Sequence, residues 1–414
     1  MKFEDYHIEL EIKKNLAKLG FKRPTDIQYK AIPSILKGED VLAIAQTGTG
    51  KTAAFAIPII NLLHRRKQRG RPDGIKCVVL VPTHELAQQV EEVFRKMARH
   101  TRVKTFALMG GVDQSPQIEQ LNKGFDLLVA TPGRLFDLRS QGHLHLHRVE
   151  ILVLDEADHM LDLGFIKDIR DLLRHLPQRR QTLFFSATID NKIKRLAYSL
   201  VQNAIRIQVS PKDPVARNID HSVVFIEMDD KRFFLERVVR ENPESKILVF
   251  VRTKVRAERV AKAMGRVKID CLTIHGDKEQ ADRFAVMEAF RGAGTKLLIA
   301  TDVSARGIDI PEVDYVVNYD LPEQAENYVH RVGRTGRGER RGTAVSFCSQ
   351  GERELLTAIE AYLGKAVTVL DVSREDYQET LDFSASQLDE HNTDWKRLIR
   401  EAEASKKKRR KKRK

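Results

Sequence analysis

The stretch that decides the expected fold is a glycine-containing octapeptide, Ala45-Gln46-Thr47-Gly48-Thr49-Gly50-Lys51-Thr52. It follows a short apolar run, Val41–Ile44, which is typical of a buried parallel strand, and it precedes Ala53–Ala56, which suits a helix start. A strand, a glycine-containing loop and a helix N-terminus together form a cradle for anions, because backbone N–H groups and the helix dipole converge there. The octapeptide therefore predicts a phosphate-binding loop.

The side chains of this loop fit a nucleoside triphosphate. Gly48 and Gly50 permit backbone angles and close approaches that a Cβ would prevent, so successive N–H groups can turn towards phosphate oxygens. Lys51 can reach the β- and γ-phosphates, and the Thr52 hydroxyl can ligate Mg²⁺. We expect all eight residues to bind the cofactor: Ala45, Gln46, Thr47, Gly48, Thr49, Gly50, Lys51 and Thr52.

Charge is concentrated at one end of the chain. The 414 residues carry a formal charge of +14, which indicates a polyanionic partner. The last nine residues, Lys406–Lys414, are all Lys or Arg, so the rest of the chain carries 14 − 9 = +5. A run of like charges cannot form a packed core, and we expect residues 405–414 to be a disordered basic tail.

The cysteines and the N-terminus favour a cytoplasmic protein. Cys77, Cys271 and Cys348 are odd in number, far apart and in no C-x-x-C arrangement, which favours a reducing compartment. The acidic start, Met1–Asp5, has no apolar core of a signal peptide, and no run of about 18 apolar residues occurs. We expect no membrane span.

Short apolar strands alternate with helical stretches twice along the chain. They are expected at Val41–Ile44, Cys77–Val81, Phe106–Leu108, Leu127–Ala130, Ile151–Leu154 and Thr182–Phe185, and then at Ile247–Val251, Cys271–Ile274, Leu297–Ala300, Tyr315–Asn318 and Thr343–Cys348. This alternation predicts two α/β domains with mostly parallel sheets. We expect the domains at residues 1–208 and 218–365, a proline-containing linker at 209–217, a C-terminal extension at 366–404 and the basic tail.

A second acidic motif complements the phosphate loop. The apolar run Ile151–Leu154 leads directly into Asp155-Glu156-Ala157-Asp158. A nucleotide-hydrolysing site needs one carboxylate to hold Mg²⁺ and a neighbour to polarise the attacking water. Asp155 is the candidate metal ligand and Glu156 the candidate base; the alternative is an acidic loop that caps a strand, which the upstream phosphate loop disfavours.

The motifs, taken in order, resemble the DEAD-box ATP-dependent RNA helicases, and the bacterial RhlE-like group in particular. The resemblance runs from Phe3 to about Phe347. The matching segments are Phe21–Gln28, Ala45–Thr52, Pro82–Ala87, Gly110–Gly111, Thr131–Arg134, Asp155–Asp158, Ser186–Thr188, Val249–Val251, Gln280 with Arg283, Ala300–Asp302, Ala305–Asp309 and His330–Arg337. The resemblance implies two tandem RecA-like domains of the P-loop NTPase type.

The resemblance implies further cofactor contacts for ATP. Gln28 carries an amide that can donate to and accept from an adenine edge, and Phe21 is an aromatic surface beside that pocket. Without the resemblance, Phe3 and Phe21 would be ordinary core residues. In the second domain, Gly307 and Asp309 match positions that face the nucleotide.

Two arginines resemble the arginine fingers of the family. Planar guanidinium groups at Arg334 and Arg337 suit the charge that develops on a γ-phosphate. Arg331, Arg340 and Arg341 crowd the same segment and favour a solvated basic loop instead. Only position within the motif distinguishes Arg334 and Arg337 as catalytic.

The resemblance also implies contacts with an RNA backbone and coupling between sites. Hydroxyl, glycine N–H and arginine groups suit sugar-phosphate contacts, which carry no base identity. The matching RNA-binding positions are Thr83, Gly111, Thr131, Arg134, Arg283 and Thr301. The matching coupling positions, which link nucleotide state to domain closure, are Asp158, Ser186, Thr188 and His330.

Two histidines depart from the usual pattern of the family. His84 and His159 stand where arginine is common, and histidine lacks both the permanent charge and the bidentate fork of arginine. Backbone binding at His84 is therefore expected to be weaker.

We predict an ATP-dependent RNA helicase that uses ATP and Mg²⁺ to bind RNA and to separate short duplexes or remodel ribonucleoprotein partners. The basic tail, 406–414, is expected to be an auxiliary, sequence-independent RNA tether. Two alternatives are an ATP-gated RNA clamp with little unwinding and a DNA-directed motor.

Overall fold

The chain folds into two compact units that divide after Pro214. The computed structural model describes residues 2–45, 48–68, 74–188, 191–209, 215, 218–292, 294–302, 313–336 and 341–382. Within these ranges, no helix is both long enough and apolar enough to cross a bilayer.

The first unit is built on a seven-stranded parallel sheet with the strand order β3-β4-β2-β5-β6-β1-β7. Its strands are β1 Val41–Ala45, β2 Cys77–Leu80, β3 Thr105–Leu108, β4 Leu127–Ala130, β5 Ile151–Leu154, β6 Gln181–Ser186 and β7 Ile205–Val209. Its helices are α1 Leu10–Lys18, α2 Asp26–Lys37, α3 Lys51–Gln68, α4 His84–Met97, α5 Ser115–Leu121, α6 Pro132–Ser140, α7 Ala157–Asp162, α8 Ile166–Leu173 and α9 Asn191–Leu200, after a short 3₁₀ helix at Phe3–Asp5.

Helices cover this sheet on both faces because its central strands are apolar on both sides. Along β1, Val41 and Ala43 belong to a core shared with α1 to α4, whereas Leu42 and Ile44 belong to a core shared with α6 to α9. Successive side chains of a strand point to opposite faces, so an uninterrupted apolar strand needs a cover on each.

The second unit repeats this architecture with the strand order β10-β11-β9-β12-β13-β8-β14, again parallel throughout. Its strands are β8 Ile219–Phe225, β9 Ile247–Val251, β10 Leu272–Ile274, β11 Leu297–Thr301, β12 Tyr315–Asn318, β13 Gly342–Cys348 and β14 Thr368–Val369. Its helices are α10 Lys231–Glu241, α11 Lys254–Arg266, α12 Gln280–Arg291, α13 Ala325–Val332, α14 Arg353–Leu363 and α15 at residues 374–382, with a 3₁₀ turn at Gln350–Glu352.

The predicted fold class, two α/β domains with parallel sheets, is confirmed. The sequence did not indicate β7, β8 or β14. Strand β7 is the last strand of the first sheet, and β8 and β14 are the last two strands of the second. Residues of β7 and β14 are largely exposed, so these strands lack the continuous apolar pattern that identified the central ones. Residues 366–382, expected in a C-terminal extension, include β14 and α15 of the second unit.

Candidate nucleotide and nucleic-acid sites

The phosphate-binding loop joins β1 to α3 at the carboxyl edge of the first sheet. Gly48 and Gly50 adopt positive φ angles of 80° and 90°, a conformation that glycine reaches without strain. Helix α3 begins at Lys51, so its free N–H groups and the positive end of its dipole face the loop. The predicted cofactor residues Gln46 and Thr47 lie outside the described residues.

Gln28 is buried against this loop. Its Nε2 donates a hydrogen bond to the Gly50 carbonyl oxygen over 3.1 Å, and its Oε1 accepts one from the Thr25 N–H over 3.0 Å. The second bond is half of a capping box that starts α2. A Cβ at position 50 would overlap Gln28 Nε2, so a larger residue there would displace this amide as well as strain the backbone at φ 90°. The contact fixes the candidate base-reading amide to the phosphate loop, a link that the sequence did not reveal.

Phe21 lies beside Phe3 rather than apart from it. The two rings meet edge to face with centroids 5.8 Å apart, and Phe3 is buried in the core that covers one face of the sheet. Phe21 is partly buried against the same core. The packing accounts for Phe3 as a core residue, and the adenine contact of Phe21 stays a prediction.

Lys51 and Asp155 form the charged centre of the site. Both side chains are buried, and among the described residues the Nζ of Lys51 has no hydrogen-bond partner. Burial raises the pKa of Asp155 to about 6; the Lys51 ammonium opposes this rise and the Glu156 carboxylate adds to it. A buried ammonium without a hydrogen bond suits a phosphate oxygen, and the Asp155 carboxylate and Thr52 hydroxyl are oxygen donors that suit Mg²⁺.

Glu156 occupies a strained backbone position directly after Asp155. It is a non-glycine residue with φ 53° and ψ 49°, and it serves as the N-cap residue of α7. Its N–H donates to Asp155 Oδ1 over 3.0 Å, which restrains the Asp155 carboxylate. The Nδ1 of His159 lies 3.6 Å from Glu156 Oε2.

Asp158 connects α7 to the segment that follows β6. Its Oδ2 accepts hydrogen bonds from the Ala187 and Thr188 N–H groups over 3.0 and 3.1 Å, and from Thr188 Oγ1 over 3.3 Å. Ser186, the last residue of β6, is fully buried. The structure thus brings together three of the predicted coupling residues, Asp158, Ser186 and Thr188.

The predicted RNA-binding residues of the first unit follow adjacent strands at one sheet edge. Thr83 follows β2 and is the N-cap of α4, and Gly111, with φ 66°, follows β3. Thr131 follows β4, and Arg134 in the next turn donates to the Val112 carbonyl oxygen over 2.8 Å. Because neighbouring parallel strands end together, these groups share one edge.

His84 belongs to the same group of side chains. A Cβ at Gly110 would lie 2.9 Å from His84 Cε1 and 3.9 Å from the Cβ of Arg134. The histidine therefore packs closely on Gly110, and a side chain added at that glycine would displace the imidazole ring. A histidine ring, rather than a guanidinium fork, lies beside the glycine that follows β3.

In the second unit the predicted residues are only partly described. Thr301 ends β11 and is buried, and Arg283 lies in α12. Arg334 is buried, with its Nε donating to the His330 carbonyl oxygen over 3.3 Å. Three predicted residues, Gly307, Asp309 and Arg337, lie outside the described residues, as does the basic tail at 406–414.

Arg331 is not part of a solvated basic loop, and that interpretation was wrong. It is 1% exposed, and its guanidinium makes a bidentate pair with Asp302 at 2.6 and 2.7 Å. Its remaining nitrogen donates to the Asp320 carbonyl oxygen over 2.6 Å. One side chain thus ties α13 to the ends of β11 and β12, between the candidate residues Thr301 and Arg334. A carboxylate 29 residues away gives no local sequence signal for this pairing.

Comparison with known proteins agrees with this arrangement. Residues 25–196 match the DEAD/DEAH box helicase family and residues 230–339 match the helicase conserved C-terminal domain. The ATP-dependent RNA helicase DbpA of Bacillus subtilis is 38% identical over 375 residues, which cover 90% of this chain and 77% of that protein.

Two solved structures share the fold. Dbp5 of S. cerevisiae, bound to RNA and ADP BeF3, superimposes with a TM-score of 0.79 at 30% identity, covering 94% of this chain and 99% of that one. The DEAD-box helicase Mss116, bound to ssRNA and UDP-BeF, gives a TM-score of 0.81 at 29% identity, covering 92% and 81%.

The two RecA-like units and the phosphate loop define a P-loop ATPase of the two-domain helicase class. The chain belongs to the DEAD-box family of ATP-dependent RNA helicases. The narrower resemblance to the RhlE-like group stays a prediction.

Proposed function

We propose that the first unit binds ATP between Gln28 and the phosphate loop, and that hydrolysis there is stimulated by RNA. The observation that carries this proposal is the buried Lys51 ammonium, which has no hydrogen-bond partner in the described part of the chain and lies at the N-terminus of α3. A buried cation of this kind is costly unless an anion approaches it. The triphosphate supplies that anion.

Mg²⁺ would be held by the Thr52 hydroxyl and the Asp155 carboxylate, the latter partly through water. When bound, the ion would neutralise charge on the β- and γ-phosphate oxygens. Glu156, which has a left-handed backbone conformation directly after Asp155, is suited to take the proton of the attacking water. The family resemblance suggests that Arg334 and Arg337 stabilise the negative charge of the transition state.

RNA would be bound through its sugar-phosphate backbone. Thr83, Gly111, Thr131 and Arg134 offer hydroxyl, N–H and guanidinium groups along one sheet edge, and such contacts give little sequence preference. In the second unit we propose Arg283 and Thr301 for the same role. The three cysteines are free thiols, which fits a cytoplasmic site of action.

Signals between the two ligands would pass through Asp158. This carboxylate joins the helix that follows Glu156 to the Ala187–Thr188 segment through three hydrogen bonds. A change at the γ-phosphate can therefore shift the end of β6. His330, in α13, is the proposed counterpart in the second unit.

The test is ATP turnover by the wild-type chain and Glu156→Gln, with single-stranded RNA, single-stranded DNA or neither. We expect RNA to raise the wild-type kcat at least about tenfold, and Glu156→Gln to lower it about 1,000-fold while ATP and RNA binding remain. A short RNA duplex with one labelled strand would be assayed beside it.

Three results would change the proposal. Turnover that RNA does not stimulate would contradict it, and equal stimulation by DNA would favour a DNA-directed motor. Stimulation without strand separation would identify an ATP-gated RNA clamp.

A further inference from the structure

His159 is a buried imidazole for which the proposed mechanism has no use so far. It lies in the middle of α7 and is 4% exposed, beside the fully buried Ala157 and Met160. Its Nδ1 is buried and makes no hydrogen bond within the described ranges. Leaving a buried nitrogen of this kind unpaired is destabilising, so a compensating role is expected.

A carboxylate oxygen of the candidate base lies close to this nitrogen. Nδ1 of His159 lies 3.6 Å from Oε2 of Glu156, one helical turn earlier. This distance is a few tenths of an ångström longer than a hydrogen bond, and a small side-chain rotation closes it. Glu156 is the N-cap of α7 and His159 follows three residues later, so the helix itself sets their separation.

The tautomer follows from the same geometry. If the lone pair of Nδ1 faced Glu156, it would repel the lone pairs of the carboxylate. A proton on Nδ1 makes the contact attractive and leaves the other ring nitrogen as the acceptor. The favoured arrangement is an Nδ1–H group directed at Glu156 Oε2.

We propose that His159 is a positioning residue for Glu156, which it holds by an Nδ1–H bond to Oε2 so that Oε1 faces the attacking water. The inference rests on the proposed function, in which Glu156 receives the proton of that water as the water oxygen bonds to the γ-phosphorus and the bond from that phosphorus to the β–γ bridging oxygen breaks, so that ADP leaves. His159 neither gains nor loses a proton in this step. It restricts the side-chain orientation of Glu156, a residue whose left-handed backbone conformation is unfavourable by itself.

This arrangement explains why a histidine can stand at position 159 in place of the usual arginine. An arginine at this position carries a long side chain and a permanent charge, whereas histidine offers one short, fixed donor. A short donor three residues along the same helix holds the carboxylate in one orientation, and a general base must lie within reach of the proton that it takes.

The experiment compares three substitutions in the full chain: His159→Ala, His159→Asn and His159→Gln. Asparagine places its amide nitrogen near the position of Nδ1, and glutamine places it near Nε2. We expect His159→Ala and His159→Gln to lower the RNA-stimulated kcat about tenfold to hundredfold with little change in KM for ATP, and His159→Asn to keep most of it. Thermal unfolding of each variant measures any structural loss.

The outcomes separate this inference from the proposed function. If Glu156→Gln turns over like the wild type, the assignment of the base is wrong. If Glu156→Gln is inactive and His159→Ala keeps the wild-type kcat, only the role of His159 is overturned. Equal losses for the asparagine and glutamine variants, in step with lower melting temperatures, would also overturn it and leave a packing role. On a Glu156→Gln background, His159→Ala should lower the residual turnover no further.

Discussion

Each unit places a buried lysine at the equivalent position of its own sheet. The two lysines differ in whether the protein itself supplies hydrogen-bond partners to the ammonium group. The strand orders correspond position by position, so β8 occupies the place of β1. Five residues separate β1 from Lys51 at the start of α3, and five separate β8 from Lys231 at the start of α10. Both ammonium groups are buried.

The second lysine is neutralised from within the protein. Lys231 Nζ lies 2.5 Å from Glu352 Oε2, donates to the Tyr319 carbonyl oxygen over 2.7 Å and lies 3.9 Å from Asp320 Oδ1. Lys51 has no hydrogen-bond partner in the corresponding part of the first unit, as far as the structure is described. Glu352 thus supplies to Lys231 the negative charge that we propose a phosphate supplies to Lys51.

The loop between β1 and α3 also differs from the loop between β8 and α10 in how well it suits an anion. The loop before Lys51 contains two glycines with positive φ, whereas the loop before Lys231 borders a cavity of about 660 Å³ into which Glu227 and Asp230 contribute carboxylates. Two carboxylates and one arginine, Arg353, line that cavity, so its charge does not favour a phosphate as the Lys51 loop does. One fold therefore yields an anion site or a closed ion pair, according to the residues at a few strand ends.

The largest expected effect is the loss of activity in Lys51→Ala. We expect ATP turnover to fall at least about 100-fold and nucleotide affinity to weaken, while the melting temperature stays within about 2 °C because the ammonium has no protein hydrogen bond to lose. Isothermal titration with ATP and a turnover assay measure both. Lys96→Ala, at an exposed ion pair in the same unit, is the control. Wild-type affinity in Lys51→Ala would break the comparison.

A smaller effect, on stability rather than turnover, is expected for Lys231→Met. Removing the buried cation leaves Glu352 and Asp320 with fewer partners and should destabilise the second unit by about 3 kcal/mol. Hydrogen exchange measured by mass spectrometry would localise the loss. Lys254→Met, which breaks an exposed pair with Asp277, should change the stability little. ATP affinity should be unchanged, and a nucleotide-binding defect would mean that the two lysines are not independent.

The smallest expected effect is a pH dependence of the stability that the Lys231–Glu352 pair contributes. Burial raises the pKa of the Glu352 carboxyl, but the Lys231 ammonium and the hydrogen bonds from Lys231 and Ser349 outweigh it and hold that pKa below its usual 4.5. The pair therefore contributes its full stability at pH values above 4.5. This contribution is lost as the pH falls through the lowered pKa of Glu352. The stability difference between wild type and Glu352→Gln should narrow from about pH 7 to about pH 3 in urea unfolding. A constant difference would contradict the ion pair.

The sequence predicted the features that consecutive residues encode. The phosphate loop, the Asp155–Asp158 motif and the central strands were each identified from local pattern, and the structure contains them in the expected order. Edge strands such as β7 and β14 were missed because an edge is not apolar on both faces. Their assignment depends on a neighbouring strand, which a local pattern does not contain.

Long-range polar contacts were also beyond sequence reasoning. Arg331 pairs with Asp302, and Lys231 pairs with Glu352 across 121 residues. Nothing in either neighbourhood distinguishes these buried cations from surface ones. The base-reading role of Gln28 was predicted only by resemblance, and its bond to the Gly50 carbonyl oxygen became visible only in the fold.

The Lys231–Glu352 pair also constrains how the second unit can evolve. To open a phosphate site there, the chain must lose the Glu352 carboxylate, and every such single step leaves a buried ammonium without its main partner. To lose the lysine first leaves the carboxylate stranded instead. Each single substitution of the pair is therefore destabilising. A second nucleotide site could arise only through an unstable intermediate or a simultaneous change of both residues.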